Sequence, residues 1–107
     1  MFQASKQAKE GKILVKHLLP YQMEIWDYLV GAKGIGIKFC NPFRADSHPD
    51  CRLEEVNGVI RLMDFPNYYS GDRQWHGKDC FEVYKTVEGL RSFGAVCDSI
   101  YYKVLGK

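Results

Sequence analysis

A chain of 107 residues, 46% hydrophobic and with 7 Tyr, 6 Phe and 2 Trp, has material for one modest core, which argues against disorder and against several domains. No apolar run approaches the ~20 residues of a membrane-spanning helix. The opening Met1-Phe2-Gln3-Ala4-Ser5-Lys6 has no apolar leader core, so a cytoplasmic protein with no membrane contact is expected. The net charge of +2 is small for a protein that holds nucleic acid through its overall field, leaving room only for weak or assisted binding.

Residues 1–12 are polar and lysine-rich and are expected to form a flexible N-terminal segment ahead of one domain at 13–107. Ile13 to Leu19 is a short apolar piece that Pro20 must interrupt. Pro20 then opens a helix through Val30 that Gly31 ends, with Tyr21, Ile25, Tyr28 and Leu29 on one side and Trp26 and Val30 widening it. Gly31, Gly34 and Gly36 lead into a strand from Ile35 to Phe39. This glycine run precedes a strand, not a helix, and lacks the lysine-serine ending of a phosphate loop.

Cys51 to Val56 and Val59 to Phe65 flank Asn57-Gly58, the strongest turn signal in the chain. Both turn residues tolerate the positive φ of a type I′ hairpin. That turn sets Val56 opposite Val59, Glu54 opposite Arg61, Leu53 opposite Leu62 and Cys51 opposite Asp64. Leu53, Ile60 and Leu62 (with Glu55) then share the core face, and Arg52, Glu54, Arg61 and Met63 the polar one. Pro66 to Lys78 reads as an aromatic-rich loop. Asp79 caps a helix carrying Phe81, Tyr84 and Val87 in a stripe, with Val83 beside it. After a turn at Gly89 and Ser92-Phe93-Gly94, a last helix runs from Ala95 to Leu105 with Val96, Ile100 and Val104 on one side. The fold expected is small α+β: an antiparallel ribbon-like sheet with one helix before it and two after.

The segment Asn41-Pro42-Phe43-Arg44, followed by Pro49-Asp50-Cys51, the Asn57-Gly58 hairpin, Lys78-Asp79-Cys80-Phe81-Glu82-Val83-Tyr84 and Glu88-Gly89-Leu90-Arg91-Ser92-Phe93-Gly94-Ala95, resembles the N-terminal zinc-ribbon domain of bacterial and phage DNA primases. In that family a Cys-Pro-Phe-His turn comes first and a Glu-Gly-x-Ser-Phe turn leads into the last helix. The resemblance spans residues 20–105 and rests on the order of the motifs. It implies a zinc-ribbon-like sheet, a module that recognises single-stranded DNA template, and a primase catalytic domain or helicase as partner. Primer synthesis in the family needs a separate polymerising core, so no catalysis is expected of these 107 residues.

The family's first ligand pair falls on Asn41 and Arg44, neither of which supplies a thiolate or imidazole, and the second falls in a loop without a Cys-x-x-Cys. No cofactor is therefore expected. Cys40, His48, Cys51, His76 and Cys80 form a rearranged alternative set for zinc, since His48-x-x-Cys51 and His76-x-x-x-Cys80 have spacings zinc accepts. Without a signal peptide, the four cysteines read as reduced thiols. Cys97 reads as a small core residue. A ribbon without its metal must replace that folding energy by packing, which the aromatics Phe39, Phe43, Phe65, Tyr68, Tyr69, Trp75 and Phe81 suit. Arg44 is a candidate to anchor Asp46 or Asp64 where a metal bond would stand.

Single-stranded DNA calls for cations to follow phosphates and aromatics to stack on bases. Arg52 and Arg61 on the hairpin's polar face, with Lys38, Arg44, Arg73, Trp75 and Lys78, are the candidates. The bland alternatives are that Arg61 pairs with Glu54 across the strands and that Trp75 is core. The competing function is a metal-free ribbon that docks a replication protein, with Trp26, Tyr28 and Tyr68-Tyr69 as contacts. Salt separates the two, because only the DNA contact weakens steeply with ionic strength.

Overall fold

The computed structural model describes residues 12–44, 49–71 and 74–107, so the expected flexible segment lies outside the described residues up to its last position, Lys12. A hairpin is at the centre. Strand β1 (Cys51–Val56) pairs antiparallel with β2 (Val59–Asp64). Their register joins Val56 to Val59, Glu54 to Arg61, Leu53 to Leu62 and Cys51 to Asp64, as the turn chemistry requires. Asn57 and Gly58 take φ of 53° and 81°, the left-handed pair of that turn. Cys51, Leu53, Ile60, Leu62 and Asp64 are buried on one face.

Two strands leave two outer edges of unpaired backbone groups, which water or neighbouring chains would otherwise take. Here other parts of the chain bond to β2 along its length and to β1 from Cys51 to Leu53. Along β2, the Gln22 side chain accepts from Ile60 N (2.8 Å) and donates to Gly58 O (2.9 Å), while Trp26 Nε1 donates to Ile60 O (3.0 Å). Farther along, Leu62 N donates to Lys78 O and Leu62 O accepts from Gly77 N. Asp64 N donates to His76 Nδ1 at 3.0 Å. Along β1, Phe39 exchanges backbone bonds with Cys51, and Gly36 N donates to Leu53 O.

The expected strand at Ile35–Phe39 is reduced to that single bridge at Phe39. Gly36 sits at φ 83°, a left-handed turn that breaks the extended run, and Ile35 and Ile37 are left exposed.

Helices α1 (Val15–Leu18) and α2 (Gln22–Val30) are joined by a 3₁₀ turn at Leu19–Tyr21 that contains Pro20. Gly31 ends α2 at φ 69°. The buried face of α2 is Gln22, Ile25, Trp26 and Leu29, rotated from the Tyr21–Tyr28 stripe expected; Tyr28 is exposed. The rotation follows from the hydrogen bonds of Gln22 and Trp26 to β2, one helical turn apart.

Helix α3 (Phe65–Ser70) replaces the first half of the expected loop. Asp64 caps it by accepting from Asn67 N, Pro66 stands in its first turn where no amide partner is required, and Gly71 ends it at φ 87°. Helix α4 (Cys80–Glu88) begins in a capping box: Asp79 accepts from Glu82 N at 2.8 Å and Glu82 accepts from Asp79 N at 2.9 Å. Its buried residues are Cys80, Phe81, Val83 and Tyr84, with Val87 largely exposed. Helix α5 (Phe93–Ser99) starts two residues before the expected position because Ser92 caps it, accepting from Ala95 N. It continues as a π-helical turn at Ile100–Val104, in which Leu105 N reaches back to Ile100 O. Leu18, Ile25, Trp26, Leu53, Leu62, Phe81, Tyr84, Val96, Cys97 and Ile100 form one core between the helices and the hairpin. Among the described residues no helix is long and apolar enough to cross a membrane.

Candidate functional site

The polar face of the hairpin and the first turn of α3 meet at the Asp64 end of β2. Asp64 is fully buried. Its carboxylate accepts from Arg44 at both oxygens, Nε at 2.8 Å and Nη2 at 2.6 Å, from Asn41 Nδ2 at 2.8 Å, and from Asn67 N at 3.3 Å. Burial alone would raise the Asp64 pKa. The hydrogen bonds from Arg44, Asn41 and Asn67, with the Arg44 charge, outweigh it and hold the carboxyl below its ordinary value. The Asn-Pro-Phe-Arg turn closes on itself through Phe43 N to Asn41 Oδ1 at 2.8 Å, and Phe43 stacks on Trp75 with ring centres 5.1 Å apart. Asn67 Oδ1 accepts from the amides of Trp75 and His76. Asn41 and Arg44 thus converge on one carboxylate, and of the two anchors expected for Arg44, Asp64 is the one seen here; Asp46 lies outside the described residues.

This hydrogen-bonded knot fixes the base of α3, and α3 carries one wall of a shallow groove. Lys38, Asp50, Arg52, Phe65, Pro66 and Tyr69 line it, enclosing about 340 Å³. That is at the lower end of the ~300–1,000 Å³ typical of small-ligand sites. The Arg52 guanidinium lies 5.1 Å from the centre of the Phe65 ring, and Glu54 accepts from its Nε. Phe65 and Tyr68 both pack on His76, with centres 5.0 Å and 4.9 Å away, and Tyr69 stands edge-on to Tyr68 at 5.2 Å. Tyr69 is 79% exposed. The arrangement offers Lys38 and the Glu54-paired Arg52 beside an aromatic and proline wall, with Asp50 among the lining residues.

Of the sequence-derived candidates, Lys38 and Arg52 come together in this groove, while Arg44 is committed to Asp64. Arg61, a candidate DNA contact, braces the segment before α4, donating from Nη1 to Gly77 O at 2.9 Å; in place of its alternative pairing with Glu54, Glu54 pairs with Arg52. Lys78 contributes its carbonyl to the β2 edge. Trp75 is buried, so it is core and offers no ring to an incoming base. Trp26 is buried as well and is withdrawn from the contacts expected for a protein partner. Arg73 and His48 lie outside the described residues. The aromatics the groove presents are Phe65 and Tyr69. Their signal in the sequence was Asp-Phe-Pro, a cap followed by proline, which marks a helix start and places Tyr69 four residues after Phe65 on the same side.

Of the alternative zinc set, Cys51 and Cys80 are buried, Cys40 is exposed, His76 Nδ1 accepts from Asp64 N, and His48 lies outside the described residues; Asn41 and Arg44 bond Asp64. Burial, with the Asp79 charge beside it, pushes the Cys80 thiol far up. Among the described residues no three His, Cys, Asp or Glu side chains converge as a metal-binding group. Compared with protein-family models, with curated proteins and with solved structures, the chain gives no match.

Proposed function

We propose that this domain recognises single-stranded DNA template as a non-catalytic module of a phage-type primase or primase-helicase system, its strand lying along the groove between β1 and α3. The observation that carries the reading is the grouping of Lys38 and Arg52 with Phe65 and Tyr69 in one open groove. Cations there face phosphates, and an exposed ring offers the sequence-tolerant stacking that unpaired bases favour. The order of motifs from Asn41 to Ala95 supports the primase assignment, and it names a polymerising domain or helicase as the neighbour such a module serves. The Asp64 knot takes the structural role of the metal in this reading: it ties the turn at Asn41–Arg44 to the end of β2, the task a bound ion performs in a ribbon.

Fluorescence anisotropy of labelled single-stranded DNA, titrated at low and at physiological salt, tests it. Binding should weaken as salt rises. Lys38→Ala and Arg52→Ala should each reduce affinity several-fold at low salt, and Tyr69→Ala should cost about 1–3 kcal/mol from lost stacking. Binding unaffected by all three variants would sink the groove assignment. Absence of DNA binding at low salt would move the function to the competing reading, a ribbon-like module docking a replication protein through its exposed aromatics.

A further inference from the structure

The groove holds a feature that phosphate tracking does not use. Asp50 lines it together with Lys38 and Arg52, so a carboxylate stands where a purely electrostatic site would keep like charges only. A carboxylate against the DNA backbone is repulsive. Against the edge of an unpaired base it is an acceptor for N–H donors. The four bases differ sharply in what they offer it. Guanine presents two adjacent donors on its Watson–Crick edge, N1–H and the N2 amine, spaced to meet the two oxygens of one carboxylate. Adenine and cytosine each offer one amine beside a ring acceptor, and thymine offers one N–H between two carbonyls. Acceptor facing acceptor is unfavourable, so only guanine satisfies a carboxylate at both oxygens.

The groove also has the dimensions of a site for one nucleotide. Its volume of about 340 Å³ suits a single base with its sugar, and Pro66 and the rings of Phe65 and Tyr69 give that base an apolar surface. Tyr69 is exposed enough for a base to stack on it. Arg52, held above Phe65 and tied to Glu54, is a pre-positioned cation on the same wall. We infer that the groove is a base-selective subsite that takes an unpaired guanine, its Watson–Crick edge on the Asp50 carboxylate, its face on Tyr69 and its phosphate near Lys38 and Arg52. This inference rests on the template-binding reading above and adds to it a base identity and the residue that chooses it.

The test is anisotropy with the full chain and labelled thymine oligonucleotides, one carrying a single central guanine, a second carrying inosine at that position, and a third all thymine. The guanine strand should bind about tenfold more tightly than all-thymine, the scale of one bidentate contact. Inosine, which lacks the N2 amine, should lose most of that preference. In Asp50→Asn, whose amide cannot accept at both positions, the guanine-to-thymine ratio should fall to about one, and circular dichroism of this exposed-site variant checks the fold. Equal wild-type binding of the guanine and thymine strands overturns the base choice while leaving template binding standing. A guanine preference that persists in Asp50→Asn overturns the role of Asp50. Failure to bind any of the three strands overturns this inference and the template-binding reading together.

Discussion

At the residue scale, Asp64 and Arg44 form a buried ion pair that ties the Asn41–Arg44 turn to the end of β2. A buried carboxylate without a partner is costly, and removing one member of a buried pair costs more than the pair itself contributes. Arg44 is 22% exposed at its side chain, so part of that cost is relieved by water. Arg44→Ala is accordingly expected to destabilise the protein by about 2–3 kcal/mol, a fall in melting temperature on the order of 10 °C. Thermal denaturation followed by circular dichroism reads it, and an unchanged midpoint would remove the knot from the account of the fold. The acid limb of stability follows from the same residue. The folded pKa of Asp64 lies below its unfolded value, so the carboxylate's contribution is complete above that unfolded value of about 4 and is lost as pH falls through the folded one. Asp64→Asn should therefore be less stable than wild type at neutral pH and should lose less stability on acidification below about pH 4. Parallel acid profiles of the two proteins would assign acid unfolding to other groups.

Elements in this chain are set by their ends. Asp79 opens α4 with a capping box, yet it is partly buried, and that burial, with the Glu82 charge, raises its pKa despite its bond from Glu82 N and the nearby Arg61. Its hydrogen bond stabilises and its charge does not. Asp79→Ala should cost about 1 kcal/mol through loss of the cap. Asp79→Asn keeps an acceptor and removes the desolvated charge, so it should leave the melting temperature at neutral pH nearly unchanged or slightly raised. The sign is opposite to that of Asp64: a raised folded pKa means that protonation favours the native state, so Asp79 gains stability as pH falls. A large loss in Asp79→Asn, matching the alanine variant, would show that the charge itself holds the helix. Helix α3 illustrates the same dependence on ends, since Asp64 serves at once as the last residue of β2, the cap of α3 and the partner of Arg44.

On the scale of the whole molecule, a net charge of +2 means that any grip on nucleic acid is local. With Lys38 and Arg52 as the groove's cations, the logarithm of the binding constant should fall with the logarithm of salt at a slope of about −1.4, from roughly 0.7 per neutralised phosphate on a single strand. A slope several times steeper in anisotropy titrations would require cations beyond the groove. The covered edges of the sheet act at this scale too. Gln22, Trp26, Gly77, Lys78 and His76 bond the β2 edge, and Phe39 and Gly36 the Cys51–Leu53 part of the β1 edge, so a hairpin that would be marginal alone is braced by its own chain.

The hairpin and its register were determined by sequence alone, because Asn57-Gly58 admits one tight turn and the alternation on either side admits one buried face. Helix α4 was legible in the same way, from Asp79 and Glu82 before an apolar stripe. These signals are local, between residues a few positions apart. What faced inward on α2, by contrast, depended on Gln22 and Trp26 finding β2 more than thirty residues away, and periodicity carries no record of that. Gly36 broke the expected strand by a backbone turn that the apolar run around it concealed. The groove is half visible in the sequence: Lys38 and Arg52 stand among its candidate cations, but which cations stay available is decided by competition between partners. Tertiary structure gave Arg44 to Asp64, Arg61 to Gly77 and Trp75 to the core, and left Tyr69 outside beside Arg52, because a buried carboxylate and an open sheet edge each claim the nearest donor that packing brings within reach.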